Sequence, residues 1–543
     1  MQATQFSVAS ESEILLDVLI RNGMIIDGTG NPWYKGDIGV EAGKIRSIGQ
    51  LSVERARYEI DARGLVVSPG FIDTHSHSDL MLLANPEAKQ KILQGVTTEL
   101  LGQDGVAVAP IRREDTASWR NYISGLLGDP DLDWNWSTLS EYLSRLEERG
   151  TSTNIACLAP HGNIRMYVMG MTDQRPSESE LEQMKYLLAN AMGQGAVGLS
   201  TGLIYAPCAY AQTEELVELC KVAATYEGIF VVHMRNEGDQ LIESLNEVIR
   251  IGEQSSIPVH VSHHKAAGKA NWGKTKDTLD LMEKSRAKGV DITCDQYPYR
   301  AGSTFLSSLL PPWAHVGGTQ KLLERLRNPQ DREKIKKDIG EGVPGWENWV
   351  SYCGWEGIVI SSVRTEKNKP LEGKSLSQIA KNTGKDVFAA LFDLLLEEEG
   401  AGSMVLFAMD EEDIRRIVRH PTQMVCTDGL LGGKPHPRVY GAFPRVLGRY
   451  VREEHVLTLE QAIRKMTSLP AQRLKLWDRG LLKEGLWADI VVFDPRTIID
   501  KATFEDPHQH PDGINYVFVN GELVVEKEKH TGVRKGKVLR HRH

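Results

Sequence analysis

Two histidines one residue apart, His75 and His77, follow the apolar run Leu65-Val66-Val67-Ser68-Pro69-Gly70-Phe71-Ile72. Successive side chains of a strand point to opposite faces, so residues two apart share a face. Both imidazoles therefore leave one strand end in the same direction. Imidazole is the commonest metal ligand in proteins, and the pair reads as half of a metal site. Taken alone it reads equally well as a polar strand end bonded to backbone or water. Three further apolar runs end in ligand-type residues: 228–233 in His233, 257–263 in His263, and Met424-Val425-Cys426-Thr427 in Asp428. For any one of these an ordinary hydrogen-bonded role is the better reading, but their recurrence is hard to obtain from packing. Alternation puts His263 on the face of Val261 and His260 and His264 on the other. His263 is the preferred ligand, and a strand one residue longer would favour His264. His161, in Ala159-Pro160-His161-Gly162, reads as loop structure or as support for the site.

Ligands at strand ends need a scaffold that brings many strand ends together. Strand-like runs end near His77, Gln103, His161, Thr201, His233, His263, Tyr297 and Thr427, with amphipathic helices between several of them. One helix opens at Ser177 with Glu180 three residues on, a capping box, and carries Leu181, Met184, Leu187, Leu188 and Met192 at helical spacing. Another opens near Thr213. Alternating strands and helices imply a parallel sheet, and eight strands suggest a closed (β/α)₈ TIM-type barrel, whose sites form at the C-terminal strand ends. A doubly wound open sheet is the alternative. The stretch 313–422 is too long for a loop and is expected to hold inserted helices, such as 386–399. Short β-rich runs lie at both ends, among them 16–23, whose Asn22-Gly23 is a hairpin signal, and 488–494. They suggest a small β-sandwich domain built from 1–66 and 476–543 around a barrel at 67–475.

The chain has 543 residues, 41% hydrophobic and 25% charged, enough for more than one domain of an ordinary globular protein. The net charge of −9 and the lack of a long basic run argue against nucleic acid as a partner. Residues 1–6 show no signal-peptide pattern, and no apolar run approaches the ~20 residues of a membrane helix. The six cysteines (157, 208, 220, 294, 353 and 426) are scattered with no CxxC, so disulfides are not expected and a cytoplasmic location fits.

Longer motifs narrow the reading. Gly70-Phe71-Ile72-Asp73-x-His75-x-His77, the strand-end histidines and Thr427-Asp428-Gly429 resemble the amidohydrolase superfamily. Gly198-Leu199-Ser200-Thr201-Gly202-Leu203-Ile204-Tyr205, His233-Met234-Arg235-Asn236-Glu237, Ser262-His263-His264-Lys265, Tyr297-Pro298-Tyr299 and His436-Pro437-Arg438-x-Tyr440-Gly441-x-Phe443-Pro444-Arg445 resemble its D-aminoacylase, or N-acyl-D-amino-acid deacylase, branch. The similarity runs from about 15 to 535. It implies a metal-dependent hydrolase that releases a D-amino acid from its N-acyl derivative.

The resemblance implies zinc, one ion or two, held by His75, His77, His233 and His263, with Asp428 as general base and then acid. It implies a substrate carboxylate met by Tyr205, Lys265 and Arg438. The chain departs from the branch at one place. The branch carries Gly-Asn-Cys-Gly after the second strand, with the cysteine on zinc, and this chain has Gly102-Gln103-Asp104-Gly105. Asp104 is favoured as a ligand in place of the thiolate, against a plain loop role. A carboxylate is harder than a thiolate and makes manganese or another divalent ion more acceptable. The fourth strand, Ala196-Val197-Gly198-Leu199-Ser200, offers no lysine for a carbamylated bridge, as cyclic-amide hydrolases use. Phe305 and Leu306, after Tyr299, hint at hydrophobic amino-acid side chains. The alternative is hydrolysis of another amide, ester or lactone, cyclic amides included, on the same scaffold. A non-enzymatic scaffold is disfavoured by the full ligand set. A homo-oligomer is compatible with all of this.

Overall fold

The computed structural model describes residues 15–52 and 55–541. The N-terminal stretch read for a signal pattern lies outside them. The chain opens with strands β1 (Leu15–Ile25), β2 (Tyr34–Glu41), β3 (Lys44–Gly49), β4 (Arg55–Asp61) and β5 (Val66–Pro69). The hairpin expected at Asn22-Gly23 does not form. β1 runs straight through, and its register against β2 slips between Ile20 and Gly23. Asn22 takes the left-handed backbone (φ 60°). Its N–H donates to Asp37 at 2.8 Å and its side-chain amide to Asp61 at 3.1 Å. The same left-handed preference that makes Asn-Gly a turn signal makes a bulge when partners lie on both sides.

The parallel strands follow: β6 (Phe71–Asp73), β7 (Val96–Leu101), β8 (Asn154–Cys157), β9 (Ala159–Pro160), β10 (Gly198–Gly202), β11 (Ile229–His233), β12 (Val259–Val261) and β13 (Ile292–Gln296). An inserted antiparallel sheet comes next, β14 (Ala301–Phe305), β15 (Ile358–Ser362) and β16 (Ser403–Phe407), before β17 (Gln423–Val425) returns to the parallel set beside β13. β8 and β9 are one strand interrupted at Leu158, whose N–H donates to Leu101 O at 3.0 Å. The parallel sheets β6-β7-β8 and β9-β10-β11-β12-β13-β17 join at both edges. Val197 N donates to Cys157 O at 2.9 Å on one side, and Asp428 N donates to His75 O at 2.8 Å on the other. Eight strands thus close into a (β/α)₈ barrel, and the closing seam runs through the His75 and Asp428 segments. The strands are buried on both faces, as their apolar β-branched runs require.

The helix Glu178–Gly193 carries the capping box at Ser177 and Glu180, and Thr213–Thr225 follows β10. The stretch 313–422 holds helices, Val387–Glu397 among them, but also β15 and β16, which form a sheet with β14 just ahead of it and which a helical reading misses. Leu306 sits in that region's own apolar core with Leu310, Ile360 and Leu391.

Strands β18 (Ile490–Phe493), β19 (Ile514–Val519), β20 (Glu522–Glu526) and β21 (Lys529–His530) share one nine-stranded sheet with β1 to β5. β18 pairs antiparallel with β5, which is one residue from the first barrel strand. Alternation along β18 splits its side chains. Ile490 and Val492 pack with Val18, Ile38 and Val67, and Val491 and Phe493 pack with the barrel's Phe71 and with Phe443. Among the described residues no helix is long and apolar enough to cross a membrane. The six cysteines are free.

Candidate metal centre

β6 ends at Asp73, and the chain bends at Thr74 and His75 before Ser76 bridges to Gly429, with both imidazoles in the barrel mouth. His75 Nε2 and His77 Nε2 stand 3.2 Å apart. Asp104 faces them, its Oδ2 3.6 Å from His75 Nε2 and 3.5 Å from His77 Nε2. Its other oxygen, Oδ1, lies 3.9 Å from His263 Nε2. His75, His77 and Asp104 form one donor group within 4.8 Å, and Asp104, His233 and His263 form a second. Asp104 belongs to both, with one oxygen toward each. Asp428 Oδ1 is 3.2 Å from His77 Nε2 and 3.7 Å from His75 Nε2. The six residues that the sequence singled out for metal binding and base chemistry therefore converge.

The backbone is bent to present them. Asp104 (φ 56°), His263 (φ 35°) and Asp428 (φ 47°) all hold left-handed conformations, which cost a non-glycine residue of order 1–3 kcal/mol and cluster at functional sites. Asp104 sits in a turn between Gly102 and Gly105, and a Cβ on Gly102 would lie 2.5 Å from Leu158 O. Asp295 braces His263 by accepting its N–H at 2.5 Å, and accepts the Thr74 hydroxyl at 2.6 Å.

The candidates that alternation left open separate cleanly. His264 Nε2 meets Thr278 Oγ1 at 2.8 Å and faces away from the site. His260 is held by Thr293 at 2.8 Å and Asp295 at 2.9 Å. His161 lies between Thr201 at 2.9 Å and Glu215 at 2.8 Å. A cavity beside the centre is lined by Asp104, Tyr205, His233, Lys265, Ser303, Thr304 and Trp349, among others. The Tyr205 hydroxyl is 2.9 Å from Thr304 Oγ1. Phe305 stands behind Tyr205, ring centroids 4.8 Å apart. Lys265 donates to both Glu237 oxygens, at 2.8 and 2.6 Å. Arg438 is fully buried, 2.8 Å from Asp428 Oδ2, with its guanidinium 4.2 Å from the Tyr297 ring.

Three acids were missed. Glu237 stands four residues after His233 in a quoted motif, a spacing that points to it. Asp295 is next to last in β13, which ends at Gln296, near the strand end as the metal ligands are. Glu347 comes from the inserted region, and no pattern connects it to the barrel. Its Oε1 accepts the Glu237 N–H at 2.6 Å, and its Oε2 is 4.0 Å from His233 Nε2.

The electrostatics ask for a cation. Burial works against a charged His77, yet Asp104 and Asp428 hold its pKa up at about 9. Burial and Lys265 work against a charged His263, yet Glu237 and Asp104 hold it at about 10. Burial wins at His75, whose pKa is lowered. Burial would also raise the Asp428 carboxyl, but Arg438 and the histidines keep it well below the usual carboxylate range. Anionic oxygens therefore outweigh desolvation at His77 and His263, and burial outweighs them at His75. Asp104 Oδ1 and both His233 nitrogens are buried with no hydrogen-bond partner, while His75 and His77 crowd their Nε2 atoms against each other and the two carboxylates. Such orphaned donors, in an imidazole and carboxylate set, fit a divalent cation.

Comparison with known proteins agrees with this chemistry. The model of the amidohydrolase family matches residues 58–328 and 389–525. The chain is 36% identical to a D-aminoacylase of Alcaligenes xylosoxydans xylosoxydans, over 96% of this chain and 97% of that one. It is 38% identical to an N-acyl-D-glutamate deacylase of the same organism, over 97% and 96%. A crystal structure of N-acyl-D-glutamate deacylase from Bordetella bronchiseptica, complexed with zinc and a phosphonate mimic of the tetrahedral intermediate, superposes with a TM-score of 0.84 at 36% identity. That match covers 97% of this chain and all of the other.

Proposed function

The chain belongs to the amidohydrolase family, and we infer that it hydrolyses the amide bond of N-acyl-D-amino acids, giving a carboxylate and a free D-amino acid. One observation carries this reading. Asp428 stands 3.2 Å from His77 at the edge of a donor set that fits a divalent cation, in a chain similar over nearly its whole length to D-amino-acid deacylases.

The cation's donors are Asp104, His233 and His263 on one side and His75, His77 and Asp104 on the other. Zinc is the ion in the superposed relative. A divalent ion held there supplies Lewis acidity, polarising the acyl carbonyl and acidifying water. Asp428 does the proton work. Its carboxylate, kept ionised by Arg438, accepts the proton of the attacking water and returns it to the amide nitrogen, which is a very poor leaving group as an anion. Lys265 and Tyr205 border the cavity, and Arg438 reaches it through Asp428. Together they are read as the partners for the substrate's carboxylate, with Arg438 now holding Asp428 Oδ2 at 2.8 Å and Ser303 O at 3.1 Å. Phe305 stands behind Tyr205 and off the cavity lining, so the apolar preference that the sequence hinted at has no contact to carry it. The protein is read as a cytoplasmic enzyme acting on a small molecule, with no nucleic-acid or membrane partner and room for a homo-oligomer.

The primary test is amine release from paired N-acetyl-D- and N-acetyl-L-amino acids by the metal-loaded protein. Release from the D series alone is the expected result. No release from either series, with metal bound, would move the reading to larger amides, esters, lactones or cyclic amides. Asp428→Asn is expected to lower kcat by ~10²–10⁴-fold, the usual worth of a positioned acid-base, with metal content unchanged. Arg438→Ala is expected to raise KM more for N-acyl amino acids than for simple amides.

A further inference from the structure

The two histidines on the Asp104 Oδ1 side present opposite ring nitrogens to the acids. His263 turns Nε2 toward Asp104, and its Nδ1 lies 3.2 Å from Glu237 Oε1 and 2.7 Å from Lys265 Nζ. His233 turns Nε2 toward the acids, 3.6 Å from Glu237 Oε2 and 4.0 Å from Glu347 Oε2, which leaves Nδ1 for the side of Asp104. A metal-binding histidine whose second nitrogen donates to a carboxylate is fixed in tautomer and orientation.

Glu237 has little left to offer His233. Both of its oxygens take Lys265, and one of them also faces His263. Glu347 is the acid with capacity to spare. Its residue is 1% exposed, its Oε1 is committed to the Glu237 N–H, and its Oε2 has no partner. We propose that Glu347 is a positioning residue for His233, accepting the Nε2 proton when Nδ1 binds the metal, so that the inserted region completes the metal centre of the barrel. The proposal rests on the metal reading of Asp104, His233 and His263. The 4.0 Å separation must shorten to hydrogen-bond length when the ion binds.

The segment that bears Glu347 is built to dock here. The Tyr352 hydroxyl accepts the Asp239 N–H at 3.2 Å and lies 3.4 Å from the Asn236 amide nitrogen. A Cβ on Gly238 would lie 2.3 Å from the Tyr352 ring, so this close approach needs glycine at 238. Glu347 is thereby held on the loop that follows His233.

The test uses the full chain and chelator competition for zinc, together with the visible spectrum of the cobalt-substituted protein. Glu347→Gln keeps the shape but has one acceptor oxygen for two donors. It is expected to weaken the ion at His233 and His263 by ~10–100-fold and to shift the cobalt spectrum, leaving affinity at His75 and His77 unchanged. Tyr352→Phe removes a docking hydroxyl and keeps the carboxylate, so it is expected to bind zinc as the wild type does. Wild-type affinity and spectrum in Glu347→Gln would overturn the proposal, as would an equal loss in Tyr352→Phe. His263→Ala separates the two levels. If it fails to release this ion, the metal reading itself is wrong; if it releases the ion while Glu347→Gln holds it normally, only the positioning role falls.

Discussion

Two buried polar clusters share the rim of this barrel, and they differ in how fully their atoms are bonded. In the first, Lys91 donates to Asp73 Oδ2 at 2.6 Å, Ser76 Oγ at 2.9 Å and Thr427 Oγ1 at 2.6 Å, using all three ammonium protons. Asp73 also takes the Thr427 N–H at 2.8 Å, and Glu99 takes the Ser76 hydroxyl at 2.7 Å and the Thr153 hydroxyl at 2.8 Å. In the second, His75, His77, Asp104 and His233 keep buried atoms with no partner. The residues interleave: Asp73 and Ser76 face the lysine, and His75 and His77 face the cavity. A saturated network holds the seam closed and has nothing left to give a ligand. The unsaturated one carries a desolvation penalty that a cation relieves.

The sharpest way to break this contrast is Lys91→Met. Removing one partner of a buried charge network costs about 3–5 kcal/mol. Urea unfolding should show that loss with metal or without it; a loss below about 1 kcal/mol would show that the seam is not held by this lysine. Next in size is metal removal. Chelation should lower the wild type's stability by about 2.7 kcal/mol relative to metal at 100 times its Kd. Asp104→Ala should lose that response while remaining near the stability of the chelated wild type. Equal metal-dependent stabilisation in both would remove Asp104 from the centre. A smaller effect is expected at His264, which sides with neither cluster. Thr278→Val takes away its Nε2 partner and should cost about 1–3 kcal/mol with no change in zinc affinity. A change in zinc affinity would reopen the choice between His263 and His264.

The smallest effect is one of pH, and it lies in the inserted region. Burial depresses the pKa of His315 to about 4. The unfolded chain takes up this proton near 6.5 and the folded chain does not, so the stability is present above pH 6.5 and falls as pH drops toward 4. By pH 6 the loss is under about 1 kcal/mol. His315→Leu should flatten that part of the stability curve. An unchanged slope would show that His315 is not the group responsible.

Much of this was legible in the residues. The barrel strands could be read from apolar runs ending in histidine or aspartate, because a parallel strand must be apolar along its length and turns polar only at its mouth. Asp386 and the Ser177 and Glu180 box marked helix starts, because capping is a local matter. Asn22-Gly23 misled, because a left-handed residue serves a bulge as well as a turn, and β2 and β4, pairing on either side of β1, decide which. The β14-β16-β15 sheet was missed because its strands start at residues 301, 358 and 403, far apart in the chain.

The sequence by itself determined which side chains could bind metal and on which strand ends they stand, since alternation and apolar runs are properties of neighbouring residues. Tertiary structure alone decided that Asp104 turns one oxygen to each histidine pair, that Lys265 and Arg438 are held by Glu237 and Asp428, and that Glu347 arrives from the inserted region. Those facts depend on closing the barrel and docking a distant segment, and no local pattern encodes the distance between residues that meet only when the chain folds.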